Sequence, residues 1–175
     1  MLKTIAIVAA VVIAGILIYA ATKPDTFRVA RSTLIKAPPE QIFPLINDLH
    51  NFNKWNPFSR HDPEIKITYS GPASGKGAAH EWEGNSKVGK GRLEIVDSTP
   101  SSNIQMKLDM LSPMEAHNRV DFTVQPKGDA TEVTWAMNGE SSYISKVMSL
   151  YFNMDKIVGG EFEKGLADMK ALAEK

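Results

Sequence analysis

The chain has 175 residues, 43% of them hydrophobic, which suits one domain with its own core plus an appendage. Lys and Arg together number 20, as do Asp and Glu, so the positive excess typical of a nucleic-acid-binding protein is missing. The lack of cysteine excludes disulfides, a thiolate nucleophile and thiolate metal sites.

The amino-terminal segment predicts a membrane anchor. Residues 4–22 carry no charge and lie between Lys3 and Lys23. As a helix rising about 1.5 Å per residue, they match the roughly 30 Å hydrocarbon core of a bilayer. A cleaved secretory signal is the alternative, but its apolar region is usually only about 7–15 residues long, and Tyr19-Ala20-Ala21 is a poor cleavage site. We therefore predict an anchor over residues 1–22 and a ligand-binding domain over residues 23–175.

The charges around the anchor give conflicting indications of its orientation. Lys23, Arg28, Arg31 and Lys36 follow it closely, which favours a cytoplasmic domain under the positive-inside rule. However, an apolar amino-terminal segment with a basic start, here Lys3, is ordinarily handled as an export signal. On that basis we predict a single-pass membrane protein whose soluble domain is exported, in a periplasmic or other extracytoplasmic location.

A strand and two short helices follow the anchor. Residues 27–36 are rich in Val, Thr, Ile and Leu, as expected for a strand, and Ala37-Pro38-Pro39-Glu40 ends it and begins a helix. That helix should be kinked or shortened by Pro44, which lacks an amide hydrogen. A second helical segment is predicted over residues 49–58.

From Pro63 onwards the hydrophobic pattern changes to alternation, which indicates strands with one buried face. Six further strands are predicted, at residues 65–69, 78–83, 92–96, 104–110, 119–124 and 132–137. In each of them apolar residues share one parity and polar or charged residues share the other. The sheet should therefore be covered on one side only.

The last residues, 145–175, predict the long helix that covers this sheet. Phe162, Leu166, Met169 and Ala173 recur at steps of three and four, which places them on one helix face. Antiparallel strands with their helices on one face form an α+β layout. Gly159-Gly160 should weaken the helix, by about 1 kcal/mol per glycine relative to alanine. We therefore expect a hinge near residues 158–160 and a movable wall before it.

Five segments in this order resemble the START-like (SRPBCC) superfamily, and within it the polyketide cyclase or dehydratase-like group. They are residues 35–43 (IKAPPEQIF), 53–58 (NKWNPF), 82–84 (WEG), 131–135 (TEVTW) and 162–166 (FEKGL). The resemblance extends over residues 27–175. It implies a helix-grip fold, in which a curved antiparallel sheet of about seven strands wraps around the carboxy-terminal helix and encloses an apolar cavity.

The resemblance also suggests which aromatic, Met and polar residues contact a ligand. In an ordinary protein most of these side chains would simply be core. The predicted ligand-binding residues are Trp55, Phe58, Tyr69, His80, Trp82, Met106, Asn118, Phe122, Trp135, Met148, Tyr151 and Phe152.

Two polar residues, His80 and Asn118, share the parity of apolar neighbours in their strands and should point inward. Backbone or water partners, or a place at the wet rim, would account for them structurally. Alternatively, they orient a mostly apolar ligand. The four histidines of the chain show no metal-ligand spacing, so neither a metal nor a cofactor is predicted.

These patterns predict a membrane-anchored domain that binds a hydrophobic small molecule or lipid without catalysis. The alternative is a cyclase or dehydratase-like enzyme acting on a hydrophobic substrate, with His80 and Asn118 as acid/base or orienting groups. A protein-interaction module is a third possibility, which the alternating charges on the outer face of the sheet disfavour.

Overall fold

The chain begins with a long apolar helix, α1 (Leu2–Ala21). The computed structural model describes all residues from 1 to 175. Almost every α1 side chain is exposed, and Ala20 is its one buried residue. Its length and composition would suit a membrane span, although a signal sequence has the same properties.

The rest of the chain is built on one antiparallel sheet of seven strands. Their spatial order is β1-β7-β6-β5-β4-β3-β2, so each strand neighbours the next in sequence except that β1 pairs with the last one. The strands are β1 (Thr26–Ile35), β2 (Lys66–Ser70), β3 (Ala79–Glu83), β4 (Lys90–Thr99), β5 (Asn103–Ser112), β6 (Ala116–Lys127) and β7 (Ala130–Glu140). The predicted α+β class and the number of strands are confirmed.

Burial alternates along the strands as predicted. In β6, Val120, Phe122 and Val124 are buried, whereas Arg119 and Asp121 point to the outer face and bond to each other at 2.8 Å. Successive side chains of a strand point to opposite faces, so one face of the sheet forms the core. Register shifts in the pairing of β4 with β5 add local bends to the sheet.

The two predicted short helices are α2 (Pro39–Asn47) and α3 (Leu49–Trp55), followed by a 3-10 helix at Pro57–His61. Pro44 lies within α2 without ending it. Asp48 begins α3 by accepting a hydrogen bond from the amide of His50 at 2.8 Å, and Asn56 accepts one from the amide of Phe58 at 3.3 Å. Helix α3 and the 3-10 helix therefore each begin at a side-chain cap.

Two helices follow β7: α4 (Tyr143–Met148) and α5 (Met154–Ala173). The predicted hinge near residues 158–160 is wrong, because α5 continues unbroken through both glycines and the chain leaves the helical conformation at residues 149–153 instead. A Cβ atom on Gly159 would lie 2.1 Å from the Arg31 guanidinium. From that position Arg31 binds Asp155 at 2.9 Å and Glu163 at 2.7 Å, and so connects β1 to α5.

The carboxy-terminal part of α5 packs as the predicted apolar stripe. Phe162, Leu166 and Met169 are buried to at least 99%. Phe162 stacks on Trp135 of β7, with ring centroids 4.0 Å apart and an angle of 11° between the planes. Gly165 permits this approach, since a Cβ there would lie only 2.9 Å from the Trp135 ring.

Candidate functional site

An apolar cavity lies between the sheet and helices α3 and α5. Its volume is about 350 Å³, and 15 of its 21 lining residues are hydrophobic. Strands β2 to β7 all contribute side chains to it, together with α3, the 3-10 helix and α5. Helix α5 packs mainly against β1, at one edge of the sheet. The cavity occupies the space that the remaining strands enclose beyond this contact.

The opening of the cavity is marked by lining residues that are also exposed to solvent. These are Phe58, Lys87 and Met154, which belong to the 3-10 helix, the β3–β4 turn and the first turn of α5. Phe58 is 37% exposed and Met154 is 51% exposed, whereas Phe162, also a lining residue, is 1% exposed. The exposed lining residues Phe58, Lys87 and Met154 therefore mark the mouth of the cavity, and Phe162 lines it away from solvent.

Five of the predicted ligand-binding residues line the cavity: Phe58, His80, Trp82, Asn118 and Trp135. They come from the 3-10 helix and from strands β3, β6 and β7, which are far apart in the sequence. The inward orientation predicted for His80 and Asn118 agrees with this placement. His80 is 4% exposed, in keeping with its position on the inner face.

Three predicted site residues lie instead in the solid core. Trp55, Met106 and Phe122 are fully buried and do not line the cavity. Trp55 packs edge-on against Phe122, with centroids 6.0 Å apart, and its indole N–H donates to the carbonyl of Leu45 at 2.7 Å. Met106 and Phe122 point inward as predicted from their strands, but neither they nor Trp55 on α3 lines the cavity.

The remaining four predicted site residues lie outside the cavity. Tyr69, on the edge strand β2, stacks on His50 with centroids 3.7 Å apart. Met148 at the end of α4, and Tyr151 and Phe152 in the non-helical stretch that follows, are between 44% and 67% exposed. The wall predicted over residues 145–157 thus contributes only Met154 to the cavity.

A polar cluster, which we call the Asn53 cluster, lies on one side of the cavity. The side-chain amide nitrogen of Asn53 is 2.9 Å from the Tyr69 hydroxyl and 3.2 Å from His80 Nδ1. Asn56 reaches Asn53 Oδ1 at 3.5 Å and Ser59 Oγ at 3.4 Å. Sequence reasoning missed these two asparagines, although their spacing of three along a helical segment could have placed them on one face.

The Asn53 contact determines the tautomer of His80. An amide nitrogen only donates, so His80 Nδ1 is the acceptor and the ring proton lies on Nε2. Burial, with a smaller contribution from His50, lowers the pKa of His80 to about 4. The imidazole is therefore neutral near pH 7, and its Nε2–H makes no hydrogen bond to another protein group.

A second unpaired donor is the indole N–H of Trp135. Trp135 is 3% exposed, and its Nε1 is the one buried side-chain nitrogen or oxygen of the chain without a partner. Leaving a buried donor unpaired costs about 1–3 kcal/mol. No Asp or Glu lines the cavity, and Lys87 at the mouth is its one formally charged residue. The interior is thus largely apolar and carries no carboxylate.

Comparison with known protein families gives one match. A family model described as polyketide cyclase / dehydrase and lipid transport matches residues 26–174. No curated protein matches the sequence significantly. The matched range begins after α1 and includes every element of the sheet and both helices that close the cavity.

Several solved structures are similar to the chain at low sequence identity. Protein CV1439 from Chromobacterium violaceum has a TM-score of 0.61 at 16% identity, over 87% of this chain and 99% of its own. The Aha1 dimer from Colwellia psychrerythraea has a TM-score of 0.59 at 16% identity, over 85% of this chain and 96% of its own. Major latex-like protein 151 from Panax ginseng has a TM-score of 0.61 at 12% identity, over 87% of this chain and 100% of its own. At these identities the similarity shows a shared fold.

Acidification should destabilise the protein through His80. The pKa of a histidine in an unfolded chain is about 6.5, whereas that of folded His80 is about 4. Between these two pKa values the unfolded state binds more protons than the folded state, so the free energy of unfolding decreases as the pH falls. Above the pKa of the unfolded state, the contribution of His80 to the free energy of unfolding does not change with pH. Thermal unfolding of wild type and His80→Gln across this range should show a smaller decrease for the variant. Equal decreases, or an NMR titration of His80 near its ordinary pKa, would contradict this.

Proposed function

We propose that this chain, which belongs to the polyketide cyclase / dehydrase and lipid transport family, binds a hydrophobic small molecule or a single-chain lipid without catalysing a reaction. The observation that carries the proposal is the cavity, with its volume of about 350 Å³ and its largely hydrophobic lining. Small-molecule sites are typically about 300–1,000 Å³ and mostly apolar. A volume at the lower end of this range favours one acyl or isoprenoid chain over a two-chain phospholipid.

The state of His80 supports binding over catalysis. A general acid or base works best with a pKa near the operating pH, whereas the pKa of His80 is about 4. In hydrolytic triads an acidic residue accepts a hydrogen bond from the histidine Nδ1–H and stabilises the charged ring. Here Nδ1 itself accepts from Asn53, and no carboxylate lines the cavity. His80 and Asn118, the acid/base pair of the alternative enzyme, therefore serve better as orienting groups.

Filling the cavity should abolish ligand binding. Leu108 lines the cavity on β5, and the neighbouring Lys107 is exposed on the outer face. In Leu108→Trp the larger side chain occupies the ligand's space, whereas Lys107→Trp adds the same group to the opposite face. Native mass spectrometry of the full-length protein released from detergent should detect a bound apolar molecule in wild type and Lys107→Trp, reduced about tenfold in Leu108→Trp.

The proposed function would be overturned by the following result for the wild-type protein. Wild-type protein would carry no bound molecule and would take up none from a panel of fatty acids, isoprenoid alcohols and sterols. The melting temperature of Leu108→Trp is allowed to change. The cavity is identified as the binding site if the variant is still folded and has lost the bound apolar molecule. Circular dichroism of the same sample checks the fold.

The proposal includes a membrane tether over residues 1–22 and a ligand-binding domain over residues 23–175. Helix α1 ends at Ala21 and β1 begins at Thr26, so the connection is short and the domain would lie directly at the bilayer surface. This position would bring the cavity next to a reservoir of apolar molecules. The basic amino end at Lys3 supports an exported domain.

The orientation can be tested with single cysteines, because the native chain has none. Ser102→Cys places a thiol on the exposed β4–β5 turn, and Lys3→Cys places one in the first turn of α1. A membrane-impermeant maleimide should label Ser102→Cys in intact cells and label Lys3→Cys only after lysis. The reverse pattern would place the domain in the cytoplasm. A mature protein lacking residues 1–22 would identify α1 as a cleaved signal.

A further inference from the structure

The segment that leads from α4 into α5 exposes a large apolar surface at the mouth of the cavity. Seven large apolar side chains of residues 143–157 are each between 44% and 67% exposed. We call this segment the apolar rim. We propose that the apolar rim lies in the headgroup region of the bilayer that holds α1, and that the mouth of the cavity opens towards the lipid. The inference rests on the proposed membrane tether, because α1 brings this surface to a bilayer.

Helix α4 has the opposite burial pattern to a helix on a water-exposed surface. Its one buried residue is Lys146. Tyr143, Ile144 and Met148 of the same helix are exposed. A surface helix in water ordinarily buries its apolar face and exposes its charged residues. The inverted pattern is expected where the outer side of the helix contacts an apolar medium.

The charged residues of the apolar rim are mostly paired with groups of the domain. Lys146 pairs with Asp25, and Asp155 binds Arg31 at 2.9 Å. Lys156 is the remaining charged residue of the segment. A lysine at a membrane surface extends its ammonium group towards the headgroups while its apolar stem lies along the lipid. The segment therefore enters the headgroup region without placing an unpaired carboxylate there.

The apolar rim is attached to the carboxy-terminal end of α1. The Tyr143 hydroxyl donates to the carbonyl of Leu17 at 2.9 Å, and Asp25, the partner of Lys146, lies just beyond α1. Leu17 lies four residues before the end of the helix, or roughly 6 Å along its axis. If α1 spans the membrane as proposed, α4 is thus held at the level of the lipid headgroups. Tyrosine and tryptophan are enriched at this level.

Strand pairing places two more exposed apolar side chains at the same end of the sheet. Thr26, where β1 begins after α1, pairs with Glu140 at the end of β7. The start of β6 and the end of β5 continue this end of the sheet, because β6 pairs with both β7 and β5 there. Leu111 and Met114, at the connection from β5 to β6, are 60% and 58% exposed. The end of the sheet next to α1 therefore adds to the apolar surface.

Exposed large apolar residues are few on the rest of the domain. Apart from Phe58 at the cavity mouth, they are Leu34, Tyr69 and Val96, which belong to three different strands. Single exposed apolar residues are common on soluble proteins, whereas a contiguous apolar patch marks an interaction surface. The concentration of such residues beside α1 favours the bilayer as the partner of this surface.

The mouth of the cavity lies at this apolar end of the domain. Met154 belongs to the apolar rim and also lines the cavity. Lys87, another residue of the mouth, lies on the β3–β4 turn, and Gly89 of that turn packs so closely on the Ser112 carbonyl of β5 that a Cβ atom would not fit. An apolar molecule would then pass between bilayer and cavity without crossing water, which avoids the cost of exposing its apolar surface.

The contact with lipid can be tested with full-length protein in liposomes, using an environment-sensitive fluorophore on a single introduced cysteine. Phe152→Cys and Leu34→Cys form a matched pair, because both native side chains are 50% exposed and the chain has no other cysteine. Leu34 lies eight residues along β1 from Thr26, or roughly 26 Å. The two labels therefore report on opposite ends of the sheet.

The label at position 152 should be quenched at least about threefold more by a nitroxide-bearing lipid than by iodide supplied on both sides of the bilayer, as for an interfacial segment. The label at position 34 should show the opposite preference. Equal access of iodide to both labels would overturn the inference. Protection at position 152 that disappears when the protein is diluted in excess lipid would show contact with a second copy of the chain, and would also overturn it.

The route from the bilayer to the cavity can be tested with a fluorescent polyene fatty acid as the probe. Its arrival in the cavity is followed by energy transfer from the three tryptophans, all of which lie in the domain. Phe152→Glu should slow this transfer from liposomes about tenfold, because a carboxylate is costly in the apolar part of the interface. Leu34→Glu should leave the rate unchanged. Equal rates for the two variants would contradict a mouth that opens towards the lipid.

Failure of this inference is distinguishable from failure of the proposed function. If an apolar molecule co-purifies but the label at position 152 is open to iodide, the cavity still binds a ligand and the inference about the apolar rim is wrong. If the label is protected by lipid but wild type takes up no fatty acid, the membrane contact is supported and the proposed function fails. If α1 proves to be cleaved, the tether and this inference fail together.

Discussion

The stacking of Phe162 on Trp135 determines where α5 crosses the sheet, and most of the molecule's properties depend on this contact. It requires Gly165 beneath the ring, and a second glycine, Gly159, admits the Arg31 guanidinium nearly two helical turns earlier. Arg31 then binds Asp155 and Glu163 on either side of that glycine. These contacts hold α5 over β1 and β7, and they leave the space above the other strands open as the cavity.

The same contact influences the chemistry of the cavity. Because the indole of Trp135 is held between Phe162, Trp55 and the sheet, its N–H remains buried and unpaired. Burial has a different effect on His80, whose pKa it lowers far enough to keep the ring neutral. The interior therefore combines hydrophobic walls with a few neutral polar groups. Such an interior suits the recognition of a ligand better than proton transfer, because no group in it exchanges protons readily near pH 7.

The contacts between α1 and the domain influence where the mouth of the cavity lies relative to α1. The bond from Tyr143 to Leu17 and the pairing of Lys146 with Asp25 hold α4 against the end of the apolar helix. The break at residues 149–153 then turns the chain so that α5 starts at the mouth of the cavity. Residues that pattern analysis assigned to the pocket wall, among them Tyr151 and Phe152, become exposed on the surface next to α1. In the proposed anchored protein, these residues would face the bilayer and not the cavity.

Sequence patterns alone determined the apolar amino-terminal helix, the strands, the inward parity of His80 and Asn118, and the family resemblance. Each of these depends on residues close together in the chain, where a period of two or of three to four residues defines a face. Only the tertiary structure decided which inward residues line a cavity and which, such as Trp55 and Phe122, fill the core behind it. It also decided that Gly159 accommodates Arg31 rather than forming a hinge, because that depends on a side chain more than a hundred residues away in sequence.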